Sequence, residues 1–159
     1  MSVYVFALLI GVVAGSRTFT APAAVSWAAH LGWLHLRGTP LGFLQASVTP
    51  YVLTLLAIGE LIMDKLPTTP SRKAPGGFIA RIISGALCGA ALGMAGSGAG
   101  SGAVGGLLAG AAGAVVGTLG FYEFRARLVK AVGGRDLPIA LLEDMCAIGA
   151  ATWIVASAA

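Results

Sequence analysis

A chain of 159 residues with 57% hydrophobic and 10% charged side chains and a mean hydropathy of +0.90 cannot be an ordinary soluble domain. Soluble domains carry about 25% charged residues, and one this small keeps much of its surface in water. The net charge of +4 is no nucleic-acid footprint, because the basic residues are divided among loops and no aromatic-rich basic face accompanies them.

The first apolar segment covers residues 3–34. As a helix it would be about 45 Å long against a ~30 Å hydrocarbon core, too long for one straight span and too short for two. At its middle stands "SRTFT", residues 16–20, with Arg17 at its heart and Pro22 just beyond. Proline removes a backbone donor and disfavours helix at the residue before it, so the segment is expected to break here. Its start resembles a secretory signal but lacks a basic leading region and is followed by further spans, so it is expected to be retained.

Residues 35–49 read as a loop, with Gly38 and Pro40. A second span begins near Pro50, a good first-turn proline, and runs through "YVLTLLAIGELIMDKL". "PTTPSRKAPGG", residues 67–77, breaks the chain. A third span is expected over 78–95, a flexible turn at "GSGAGSG", a fourth span over 103–124 and a fifth over 137–156. The 24 glycines follow no collagen period and stand in apolar runs, as in helices packed closely in lipid. Gly85, Gly89 and Gly93, then Gly102, Gly106 and Gly110, then Gly113 and Gly117 are spaced by four. Each set lines one helix face and predicts tight packing within the chain or in a homo-oligomer.

The basic residues predict orientation. Lys65, Arg72, Lys73 and Arg81 flank the loop after the second span, and Arg125, Arg127, Lys130 and Arg135 the loop after the fourth. The opposite side carries only Arg37. By the positive-inside rule these two loops are cytoplasmic, which with five spans puts the N-terminus in the cytoplasm and the C-terminus outside. A weak echo between "GVVAGSRTF" (11–19) and "GAVVGTLGF" (113–121) raises an inverted repeat of the kind found in transporters. Against it, Glu60 and Glu143 fall toward the same side of the membrane.

Ionisable residues inside spans carry the functional expectation. Arg17, flanked by Ser16 and Thr18, lies near mid-membrane. Glu60 and Asp64 share a helix face at the end of the second span. Asp64 and Lys65 are expected to end that span at the water boundary, with Glu60 one turn deeper. Glu143 and Asp144 are adjacent in the last span, so at least one faces the interior, and Glu123 lies near the end of the fourth. Such carboxylates need a partner, a proton or water. Glu60 and Glu143 are the expected partners of Arg17.

No nucleophile–base set, G-x-S-x-G or phosphate loop is present, so no enzyme is expected. Cys88 and Cys146 form no metal or redox spacing and read as small hydrophobes. No metal or other cofactor is expected.

"AGSRTFTAPAAVSWAAHLGWL" and "GELIMDKLPTTPSRKAPGGFIARIISGALCGA" resemble the small bacterial membrane proteins grouped as domain of unknown function 4126. That family has an Ala-Gly-x-Arg motif near its start and Glu-x-x-x-Asp-Lys-[Leu/Ile]-Pro closing its second span. The matching positions are Arg17, Glu60, Asp64, Lys65 and Pro67, with Arg81 before the glycine-rich span. The resemblance implies an integral membrane protein and supplies no substrate.

The expected fold is therefore all-α: one polytopic domain of about five transmembrane segments with a broken first segment, in the inner membrane. The leading functional expectation is a small, proton-coupled transporter or channel for an ion or small anionic solute, working as a homo-oligomer. The alternative is a structural or assembly protein whose intramembrane charges only stabilise packing.

Overall fold

The computed structural model describes residues 2–65, 75–97, 100–134 and 136–159. They form α1 (Val3–Ser16), α2 (Thr20–His30), a 3-10 turn (Gly42–Gln45), α3 (Thr49–Met63), α4 (Pro75–Ser97), α5 (Ser101–Ala131) and α6 (Asp136–Ala158), with no strand among the described residues. Helices α4, α5 and α6 are long and apolar enough to cross a membrane. Helices α1 and α3 are apolar but have only 14 and 15 residues, respectively. The chain is thus an all-helical protein of membrane type. Pro50 stands in the first turn of α3, where its missing N–H is not needed.

Glycine sets the architecture. Helices α4 and α5 pack antiparallel, with Gly85, Gly89 and Gly93 facing Gly110, Gly106 and Gly102 in turn; a Cβ on any of the six would strike the opposite backbone carbonyl. Helix α1 lies in the groove this pair leaves. Gly11 meets Gly110, Gly15 meets Ala114, and Gly113 and Gly117 meet the carbonyls of Leu8 and Val12. The backbones of α1, α4 and α5 therefore converge at Gly11, Gly85 and Gly110. Removing the side chains lets dispersion and Cα–H···O contacts replace the hydrophobic drive that lipid does not supply. The glycine faces are used inside one chain.

The helix directions correct the expected path of the first segment. At the start of α1, Val3 lies on Gly96 and Tyr4 on Gly105, so α1 begins at the α4–α5 turn. It runs parallel to α5 and ends beside Thr118, whose hydroxyl donates to Gly15 O at 3.1 Å. The break falls where expected: Arg17 is extended and Phe19 opens α2. Helix α2 then turns back. It passes Ile148, Ala151 and Thr152 of α6 and reaches Val155 beside Leu31 and Trp33. Helix α6 itself starts near Arg125, beyond Thr118, through the Arg125–Asp136 bridge, and so runs toward the α4–α5 turn. Helices α1 and α2 are thus a hairpin with its tip at residues 17–19, not one interrupted crossing. Of the five expected spans, three correspond to helices long and apolar enough to cross a membrane, α4, α5 and α6.

The start of α1, the end of α6 and the α4–α5 turn lie at one end of the bundle. Helices α1 and α5 run side by side in one direction, so the echo between residues 11–19 and 113–121 is not an inverted pair. The end of α3, the start of α4 and the α5–α6 connection make up the opposite, basic end. Residues 35–48 are more than a connector: Leu36 and Leu44 are fully buried, and Ser26 Oγ donates to Leu44 O at 2.6 Å.

Candidate functional site

The hairpin tip is the polar centre of the molecule. Arg17 is the largest fully buried side chain and extends from the tip toward the basic end. Its Nη1 lies 2.7 Å from Asp64 Oδ2, and its Nη2 donates to Asp144 Oδ1. Arg17 Nε finds no hydrogen-bond partner among the described residues. Asp144 Oδ2 takes Lys65 Nζ at 2.6 Å, and Asp64 Oδ2 also takes Arg125 Nη1 at 2.8 Å. Arg125 forms a two-point pair with Asp136, through Nε at 2.9 Å and Nη2 at 2.6 Å, and lies 3.6 Å from Glu143 Oε2. One guanidinium thus joins the end of α3 to α6, and a second joins α3, α5 and α6.

Glu60 does something else. Its Oε1 accepts Thr18 N–H at 2.7 Å and its Oε2 accepts Phe19 N–H at 2.9 Å. These are donors at the start of α2, where a carboxylate also meets the favourable end of the helix dipole. Ser84 Oγ closes the tip by donating to Thr18 O, and Ser16 Oγ returns to Val13 O at 2.8 Å.

The closest ion-pair partners of Arg17 are therefore Asp64 and Asp144; Glu143, which was expected, lies near enough to act on it through its charge, whereas Glu60 is turned to the tip amides. Glu60 lies level with the tip backbone, whereas the guanidinium reaches on toward the next turn, about 5.4 Å further along a helix. Asp64 and Lys65 do not merely end a span at the water boundary, since both are tied into the cluster. Glu143 and Asp144 are both buried. Glu123, Arg127 and Lys130 lie on exposed positions of α5. Arg81 is buried in α4 rather than displayed on a loop. Arg72, Lys73, Pro67 and Arg135 lie outside the described residues. Asp136, Ser84 and Thr118 belong to the cluster or its frame and were not singled out from sequence. Asp136 had a readable signal, an acid opening a helix.

Among the described residues, Glu60 and Glu143 line different openings. Glu60 lines a groove of about 340 Å³ between the hairpin tip, α3 and α4, together with Phe19, Asp64 and Arg81. Glu143 faces a separate void of about 50 Å³ between α5 and α6. Arg17 lines neither. Helix α3 meets α2 through Trp27 Nε1, which donates to Thr54 Oγ1 at 3.0 Å, and through the edge-on rings of Trp27 and Tyr51.

These features define a class: a helical membrane protein with a buried ion-pair cluster at the tip of an inserted hairpin. Comparison of the chain with protein-family models, with curated proteins and with solved structures finds no significant match.

Proposed function

We propose that the protein is a small membrane transporter for an ion or small solute, in which protons on the carboxylates couple to anion binding at the hairpin tip. The supporting observation is the tip itself. Two helices shorter than a span meet inside the bundle, and their free amides face a carboxylate instead of water. Broken helices with polar termini inside a membrane are how many transporters hold solutes and coupling ions. On this reading the described arrangement is an occluded state, with Glu60 holding the amides of Thr18 and Phe19. A protonated Glu60 accepts those amides more weakly and opens the pair to an anion, with Arg17 adjoining. Protonation of Asp64 or Asp144 loosens the ties of α3 to α5 and α6. Such a transporter belongs with the domain of unknown function 4126 proteins its motifs resemble. Any homo-oligomer would join through the exposed faces of α3 or α6, because the glycine faces are occupied.

The test is flux. In liposomes, pH-driven anion movement is expected, and Glu60→Gln should abolish it while the protein stays folded. Absence of flux for every tested ion, or full flux in Glu60→Gln, rejects the reading. One observation favours the alternative of a purely structural cluster: Arg17 is fully buried and ties together two carboxylates from different helices.

The same proposal fixes orientation. The basic end carries Lys65, Arg81, Arg125, Arg127 and Lys130, so by the positive-inside rule it is cytoplasmic in the inner membrane. Helices α1 and α2 then form a re-entrant hairpin entering from outside, and both termini are external. In a background with Cys88 and Cys146 replaced, Ser2→Cys and Ala159→Cys should both react with an impermeant maleimide added to intact cells. Labelling of Ala159→Cys alone would restore the crossing first segment, and labelling of neither would reverse the orientation.

A further inference from the structure

We propose that the groove between α3 and α4 binds one membrane lipid carrying both a phosphate and an ammonium group, with phosphatidylethanolamine as the type. The groove is graded along its length. Asp64 and Arg81 stand at its basic end, Glu60 one turn inward, and Leu55 and Leu56 further toward mid-membrane. Arg81 is six residues into α4, about 9 Å from its start, the depth of a headgroup just below the interface. Leu55 is 69% exposed, so the apolar part opens sideways to lipid and not to water. A leaflet lipid has this same order of charge and chain. The charges are of both signs, which suits a zwitterionic headgroup better than an anionic one: phosphate on Arg81, ammonium on Glu60.

Gly59 gives the headgroup room beside Glu60. It lines the groove, and a Cβ placed on it meets nothing within 4 Å. Glycine in a helix interior costs stability relative to alanine, and here no close backbone approach explains it. Its effect is to widen the groove beside Glu60. The occupant is bound whether or not anything is transported, so the site stands or falls separately from the transport reading.

The experiment uses the full chain purified in detergent, read by thermal unfolding and by native mass spectrometry. Added phosphatidylethanolamine should raise the melting temperature and remain bound, about tenfold more tightly than phosphatidylglycerol, the loss expected for one charge-assisted contact. Soluble phosphoethanolamine should have no effect, since it lacks the chains. Gly59→Leu should fold at least as well without lipid, because it improves helix propensity and fills the groove, yet lose the lipid-dependent rise. Leu56→Trp should do the same one turn further along α3. Equal binding of the two lipids, a full effect of phosphoethanolamine, or an undiminished lipid response in Gly59→Leu would each overturn the proposal.

Discussion

Replacing Arg17 by alanine is expected to cost about 3 kcal/mol, at the low end of the range for breaking a buried ion pair. The side chain is 1% exposed and touches two carboxylates that are themselves 12% and 8% exposed. Its removal leaves Asp144 with Lys65 and Asp64 with Arg125, which is why the loss is not larger. The measurement is thermal or denaturant unfolding in detergent. Arg17→Lys should recover only part of the loss, because one ammonium cannot span carboxylates held by two elements as a planar fork does. The double variant Arg17→Met/Asp144→Asn should lose less than the sum of its single changes, as groups in direct contact couple. An unchanged unfolding curve for Arg17→Ala would show that the guanidinium does not hold the bundle, and the cluster would need another reason to exist.

Gly110→Val should be still more damaging, with a loss above about 4 kcal/mol and failure to yield a folded species. Overpacking usually costs about 1–3 kcal/mol because side chains can shift. Here the obstacle is backbone: a Cβ on Gly110 points into Gly85 O and close to the Gly89 Cα, while α1 presses from the other side at Gly11. Relief requires separating helices that also position Arg17. Gly120→Ala and Gly149→Ala are the controls. Their new Cβ atoms meet nothing within 4 Å, and each should be neutral or stabilise by up to about 1 kcal/mol. A Gly110→Val protein melting with the parent would mean that the three helices do not meet at that point.

Much of this was legible in the sequence for identifiable reasons. The break near Arg17 follows from Pro22 and a segment too long for one span, and the packing faces follow from four-residue glycine spacing. The reversal at the break was not legible. Length alone cannot distinguish a helix that resumes its course from one that returns, and the return is decided by α2 fitting between α3 and α6. Positive-inside counting depends on the number of crossings, which the length of an apolar segment does not fix. The pairing of Arg17 with Asp64 and Asp144 was equally hidden, because sequence gives the depth of each acid but not the direction in which a long side chain leaves a turn. Glu60 illustrates the point: it has the right depth for Arg17 and instead holds main-chain amides.

The pairing of Arg17 with Asp144 joins positions 127 residues apart, and α1 seats in a groove made by glycines near position 110. In a chain synthesised from its N-terminus at about 5–20 residues per second, the hairpin exists on the order of ten seconds before its last counter-charge does. During that interval its guanidinium has neither Asp144 nor the α4–α5 groove to enter. The hairpin is therefore a late guest in its own fold, unable to take its final contacts until α4, α5 and the first turns of α6 have been made.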